Sequence, residues 1–380
     1  MMRGMAFAGA LLLTTSCAEQ PEPVAIVPTA SAELPRVELV HLAGIDAGYV
    51  DARIHKIAVD TTGRIAFFPR EDGIPLIRFV DASGRWTGGA SRIGPGPGEL
   101  DFPSRIWFVA DTLITHDAAR AVEIRFDRRG ALLGERRIPP GRVPLAAASE
   151  GVLTFDPNWE FSQGPARLWL LPWDVADVRE VLGAAQPQLA AALAKQPGPA
   201  ITYPWPVVAM QNGVIALVEP RKPTVWYFNL AGKLLDSVVV EGAARSRGPY
   251  EAAEELENFA RASRSGTIGP DGKRYRGPDI DSVKRLFAAD RPPVAFIHGA
   301  NFDGHGRLWI VGPHNDSTRA LVLAGTRLLG AIMLPCFRVG RFVSVSNRWL
   351  ALHCSKGEGG DPPFELQLYR IGEPDSTKLP

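Results

Sequence analysis

The chain has 380 residues, with 42 basic against 41 acidic side chains and a formal net charge of +1. A chain so balanced lacks the basic excess that marks a nucleic-acid binder. Hydrophobic content of 46% suits a globular core, and the 38 Gly and 33 Pro, separated throughout by apolar runs, read as many turns rather than as disorder.

In chain order the first element is a leader. Arg3 supplies a short basic start, residues 5–13 are apolar but too few to span a bilayer, and Thr14-Thr15-Ser16-Cys17 follows. Residues 1–16 are therefore read as a secretory signal peptide. Residues 17–35 are polar, rich in Ala and Pro and without periodicity, which predicts a flexible tether.

From Arg36 one unit recurs. Its second strand is the most visible part: GRIAFF from Gly63, DTLITH from Asp111, GVLTF from Gly151, GVIALV from Gly213, GRLWIV from Gly306 and NRWLAL from Asn347. Third and fourth strands recur as LIRFVDASGRWTGGASRI from Leu76, VEIRFDRRGALLGERRI from Val122 and TVWYFNLAGKLLDSVVV from Thr224. Each joins an aromatic-bearing strand (Phe79, Phe126, Phe228) to a returning strand through an Asp/Asn-x-x-Gly turn, which is hairpin chemistry. The spacing is roughly 40 to 60 residues with one longer gap.

Six such units predict an all-β fold, a six-bladed β-propeller over residues 36–372, with 373–380 as a tail. The sixth unit supplies only three strands. The segment RVELVHL from Arg36 is expected to close the ring as that blade's outer strand. Residues 247–293 break the pattern. YEAAEELENFARAS and DSVKRLFAAD have helical spacing, so a short helical insertion is expected between blades four and five, either capping one mouth of the ring or packing on its rim. QPQLAAALAKQ from Gln186 predicts a further helix.

Two resemblances follow from specific residues. The stretch IGPGPGELDFPSRI from Ile93 places Gly94, Gly96, Pro97, Gly98, Glu99, Leu100 and Pro103 on a string that resembles one found in NHL-like six-bladed propellers, a family frequent among bacterial exported proteins and lipoproteins. That resemblance implies the fold and export, and no single activity. Residues 13–17 resemble a bacterial lipobox, with Thr14 where Leu is usual. It implies a diacylated Cys17 that anchors a periplasmic or cell-surface protein to a membrane. The other reading is a plain signal peptide with Cys17 incidental.

Candidate site residues come from the ends of the inner strands, where propeller sites usually lie. His55, Trp205 and His298 align there with Pro103, and Arg105 and Arg341 share a column nearer the hub. The two histidines are candidate ligands for a divalent metal, and otherwise solvated or structural side chains. The two arginines suit a carboxylate or phosphate, and otherwise ion pairs with Asp51 or Glu99. His305 and His314, near Asp303 and Asp316, read as scattered loop polar groups.

Cys336 and Cys354 are left over in an exported chain, so they are either bridged across neighbouring blades or two free thiols. No inner strand carries the Glu, Asn and Asp set of gluconolactonase-like propellers, and a third inward His for the zinc of amidating lyases is not evident. The Gly-Pro string lacks the N–H groups of a phosphate cradle. No cofactor is expected unless a divalent metal sits at the histidines.

Two functions remain. The first is a monomeric, lipid-anchored binding scaffold for a protein, peptide or glycan, to which Trp159 and Phe161 would add exposed aromatics. The second is a metal-dependent hydrolase or lyase in the channel.

Overall fold

The computed structural model describes residues 24–26, 34–40, 56–68, 75–139, 141–156, 166–174, 178–193, 207–219, 224–240, 267–268, 274–275, 297, 299–314, 317–336, 338–355 and 364–374. Two short strands come first, β1 (Val24–Ile26) and β2 (Pro35–Val40). The first sheet holds β3 (Ile57–Val59), β4 (Ile65–Phe67), β5 (Ile77–Val80) and β6 (Trp86–Ala90). The second holds β7 (Pro103–Val109), β8 (Thr112–Asp117), β9 (Val122–Phe126) and β10 (Leu132–Arg137). The third holds β11 (Val143–Ala148), β12 (Gly151–Phe155), β13 (Leu168–Leu171) and β14 (Arg179–Leu182), and α1 (Pro187–Leu193) follows it.

The fourth sheet has β15 (Val207–Gln211), β16 (Val214–Val218), β17 (Thr224–Asn229) and β18 (Leu234–Val240). A two-stranded hairpin, β19 (Thr267–Ile268) with β20 (Arg274–Tyr275), lies in the predicted insertion, whose expected helices fall outside the described residues. The fifth sheet has β21 (Gly299–Phe302), β22 (Arg307–His314), β23 (Ser317–Ala324) and β24 (Arg327–Leu334). The sixth has β25 (Arg338–Ser346), β26 (Trp349–Ser355) and β27 (Phe364–Pro374).

Within each sheet sequential strands pair antiparallel. The first strands of the six sheets neighbour one another in a closed cycle, β3, β7, β11, β15, β21, β25 and back to β3. This is a six-bladed β-propeller. The sixth sheet takes its fourth strand from the other end of the chain: β2 lies antiparallel on β27, with Val37 opposite Ile371 and Leu39 opposite Tyr369. Cys336, just beyond β24, forms a disulfide with Cys354 on β26, the Cα atoms 5.3 Å apart, so fifth and sixth blades are also joined covalently. Within the segment expected to be a tether, β1 pairs in parallel with the outer edge of β18, Val24 opposite Val238. That edge offers unpaired backbone groups, which is why a passing segment docks there.

Side chains alternate across each strand, so every blade has two faces to bury. Five of the six seams are filled by apolar clusters. Phe79 and Ala66 meet Ile106 and Phe126 between blades one and two. Phe155 and Leu170 meet Met210 and Phe228 between three and four, with Leu189 of α1 added. Ala216 and Tyr227 meet Ile310 and Leu321 between four and five. Trp309 and Val322 meet Leu350 and Tyr369 between five and six. Phe67 and Ile65 meet Trp349 and Leu368 between six and one. Among the described residues no such cluster fills the seam between blades two and three.

The hairpin turns share one device. In Asp60, Asp81, Asp127, Asn229 and Asp303 the main-chain carbonyl accepts from the Gly N–H three residues on. One side-chain oxygen of each accepts N–H groups two and four residues on. The turn's own polar groups are thereby satisfied without water. In Asp60, Asp81 and Asp303 the second oxygen pairs with the Arg four residues on.

Candidate functional site at one mouth of the ring

A four-stranded meander puts its first-to-second and third-to-fourth turns at one end and all its other connections at the opposite end. All five Asp or Asn turns join first to second or third to fourth strands, so they share one face of the ring. That face is short and internally satisfied. The connections on the other face vary widely, from the short link after β10 to the long stretch between β18 and β21. Rigid blades carrying variable loops are the usual arrangement for a recognition surface. The inner strands begin on this variable face, so it also holds the channel mouth.

The best-described part of the mouth is the entry to blade two. The Gly-Pro string folds around a side chain of its own. Gly96 donates its N–H to Glu99 Oε2 at 2.8 Å, the Glu99 N–H returns to the Gly96 carbonyl at 3.0 Å, and Arg92 pairs with the same carboxylate. A methyl group at Gly96 would lie 2.9 Å from that carboxylate, which explains a position without a side chain. The Gly96 N–H and then Arg92 hold the Glu99 carboxyl below its ordinary range. Arg120 completes the loop, donating to the Glu99 carbonyl at 2.7 Å and pairing with Glu135 at 3.1 Å, while Glu135 accepts the Gly98 N–H at 2.6 Å. The cradle is occupied by the chain's own carboxylate.

Beyond the loop the backbone is pinned by Asp117, which is fully buried. Its carboxylate accepts the N–H groups of Asp101 (2.6 Å), Ala119 (2.9 Å), Arg120 (3.1 Å) and Phe102 (3.3 Å). The Phe102 carbonyl accepts the Ala118 N–H at 2.9 Å, yet the Phe102 ring is 64% exposed. An aromatic on so fixed a backbone loses little freedom when a partner covers it.

Next come Ser104 and Arg105, with a bulge in the pairing of β7 and β8 between Pro103 and Arg105. The extra residue brings Ser104 Oγ to 2.6 Å from Nδ1 of His116, a side chain only 2% exposed. Burial pushes the His116 pKa down to about 4, with Asp117 opposing and Arg105 reinforcing, so the ring is neutral at neutral pH. Burial also lowers the Arg105 guanidinium to about 10, which leaves it charged. A Ser–His contact is half of a nucleophile–base constellation. The other half is missing among the described residues: His116 Nε2 meets no hydrogen-bond partner, and Asp117 engages backbone N–H groups instead.

Of the sequence-predicted mouth residues, only Arg105 has a described side chain. His55, Trp205 and His298 lie outside the described residues, as do Cys17, Asp51, Trp159 and Phe161. Arg341 falls in the irregular part of β25, between Val339 and Val343. Of the two carboxylates offered as alternative partners for the arginines, Asp51 lies outside the described residues and Glu99 turns back onto Gly96 and Arg92. Asp303, beside the loop residues His305 and His314, is spent in its turn on Arg307 Nε at 2.7 Å and Trp309 Nε1 at 2.8 Å. Among the described residues no group of three or more His, Cys, Asp or Glu is arranged to hold a metal. Phe102, Ser104, His116 and Asp117 escaped the sequence reading. The one available signal was a His-Asp pair ending an otherwise apolar strand, LITHD.

No family model matches the chain, and no curated protein matches it in sequence. Solved structures share its fold. A putative exported protein from Bacteroides fragilis superposes with a TM-score of 0.50 at 12% identity, over 92% of this chain and 99% of that one. Virginiamycin B lyase from Staphylococcus aureus gives 0.40 at 12%, over 87% and 88%. A gluconolactonase from Xanthomonas campestris gives 0.43 at 14%, over 90% and 97%. At 12% identity the likeness to the exported protein speaks for the fold alone, and the two weaker superpositions carry no further weight.

Proposed function

We propose that this propeller is an exported binding scaffold that takes a protein, peptide or glycan on its variable face, beside the entry to blade two. The carrying observation is Phe102, an exposed aromatic ring on a backbone fastened by the buried Asp117. Exposed aromatics on preorganised backbone are among the groups that dominate protein interfaces. Export rests on the leader and on the likeness of residues 93–106 to the NHL-like string; the lipid on Cys17 and the monomeric state belong to the same reading. No helix among the described residues is long and apolar enough to cross a membrane.

The test is a screen of the purified full chain against glycan and peptide arrays, repeated with Phe102→Ala. A hit that weakens at least tenfold with an unchanged melting temperature supports the scaffold. Stoichiometric zinc or calcium in the purified protein, with hits indifferent to Phe102, would overturn it in favour of a metal-dependent hydrolase or lyase.

A further inference from the structure

We propose that the seam between blades two and three binds a small oxyanion, a phosphate or carboxylate group, through buried nitrogen donors. Cross-strand register defines the face involved. Arg105 opposes His116, His116 opposes Glu123, and Glu123 opposes Arg136, so one row runs across all four strands of blade two. Ile106, Leu113, Ile124 and Phe126 belong to the cluster with blade one, so the alternating residues, this row and Arg125, turn toward blade three. Arg136 confirms the direction: it donates to the Pro172 carbonyl, and its guanidinium lies 5.1 Å from the centre of the Trp173 ring. From blade three, Arg142 stacks on Trp169 at 4.1 Å, on the face opposite its cluster with blade four.

Among the described residues this seam carries the guanidiniums of Arg105, Arg125, Arg136 and Arg142 and the carboxylates of Glu123 and Asp156, while His116 is neutral. Glu123 is already bound to Arg136 at 3.1 Å. His116 Nε2, Arg125 Nε, Arg136 Nε and Arg142 Nη1 are buried without a hydrogen-bond partner. The three guanidinium nitrogens are donors in every protonation state the protein adopts, and the neutral His116 ring adds a fourth donor in the tautomer whose Nδ1 accepts from the Ser104 hydroxyl. Buried donors without acceptors are costly, and among the described residues no apolar cluster fills this seam in their place. Oxygen atoms of an anion satisfy such donors, and guanidinium groups suit them geometrically.

The experiment measures the melting temperature of the full chain against inorganic phosphate and, separately, acetate, with ionic strength held by sodium chloride. A saturable rise is expected, with the same midpoint by calorimetry; whichever salt acts assigns phosphate or carboxylate. Arg125→Met should weaken that midpoint at least tenfold, while Arg129→Met, in an exposed turn, should leave it unchanged. If Arg125→Met does not fold, Arg125→Lys keeps the charge and loses the donor geometry. No rise above chloride would mean that water fills the seam and would overturn the proposal, as would a rise indifferent to Arg125.

Discussion

His116 has an ordinary pKa of 6.5 when unfolded and about 4 when buried. Between those values the unfolded chain binds a proton that the folded chain refuses, so stability drops as pH falls through this window, by about 3 kcal/mol in all. Glu123 acts in the opposite sense, since burial raises its carboxyl and stability is lost as pH rises through that range. Urea midpoints of the wild type and of His116→Gln between pH 7 and pH 4 separate the two. The variant should keep more of its neutral-pH stability in acid, and parallel curves would contradict the assignment. Asp303 makes a second residue-scale case. It is fully buried and holds the nearly buried Arg307, so Asp303→Ala strands a charge and should cost about 3–5 kcal/mol in denaturant unfolding. Asp81→Ala, in a turn whose Arg85 is 81% exposed, should cost about 1 kcal/mol or less.

Among elements, the Gly-Pro string shows how far local pattern reaches. Gly and Pro suit bends and extended backbone outside a strand, and residues 94–98 lie between β6 and β7. The partner of Glu99 was not legible, because a carboxylate that folds back on its own loop leaves no periodic mark. Gly96→Ala should destabilise by about 1–3 kcal/mol, since its methyl group meets that carboxylate. In the double variant with Glu99→Ala the steric part should disappear. A thermal-denaturation cycle that comes out additive would remove the carboxylate as the reason for the glycine. The Ser104–His116 contact was equally hidden: it depends on a bulge, and a bulge shifts register by a residue that composition does not reveal.

For the whole ring, closure is the main determinant. Each blade exposes two faces, and its outer edge is open unless something pairs with it. Loss of the Cys336–Cys354 bridge, 18 residues apart, releases a short loop and should cost about 3 kcal/mol, read as a lower urea midpoint for the double Ser variant. Deletion of residues 1–40 removes β2, baring the edge of β27 along Ile371 and Tyr369, and also takes β1 from the edge of β18. That variant should melt lower than the bridge-free one and self-associate in size-exclusion chromatography; a monomer of unchanged melting temperature would show that the ring holds without the N-terminal strand.

Blade number, strand alternation, the turn residues and the orphan strand at Arg36 were all readable in the chain, because each depends on contacts between near neighbours with a period of two or on backbone conformations that Asp, Asn and Gly favour. What tertiary structure alone decided is which faces meet. Blade two's row of Arg105, His116, Glu123 and Arg136 alternates with apolar residues like any half-exposed strand, and only ring closure buries it against blade three. Burial there turns a routine polar face into a desolvated set of donors, since the cost of leaving water is set by neighbours distant in sequence.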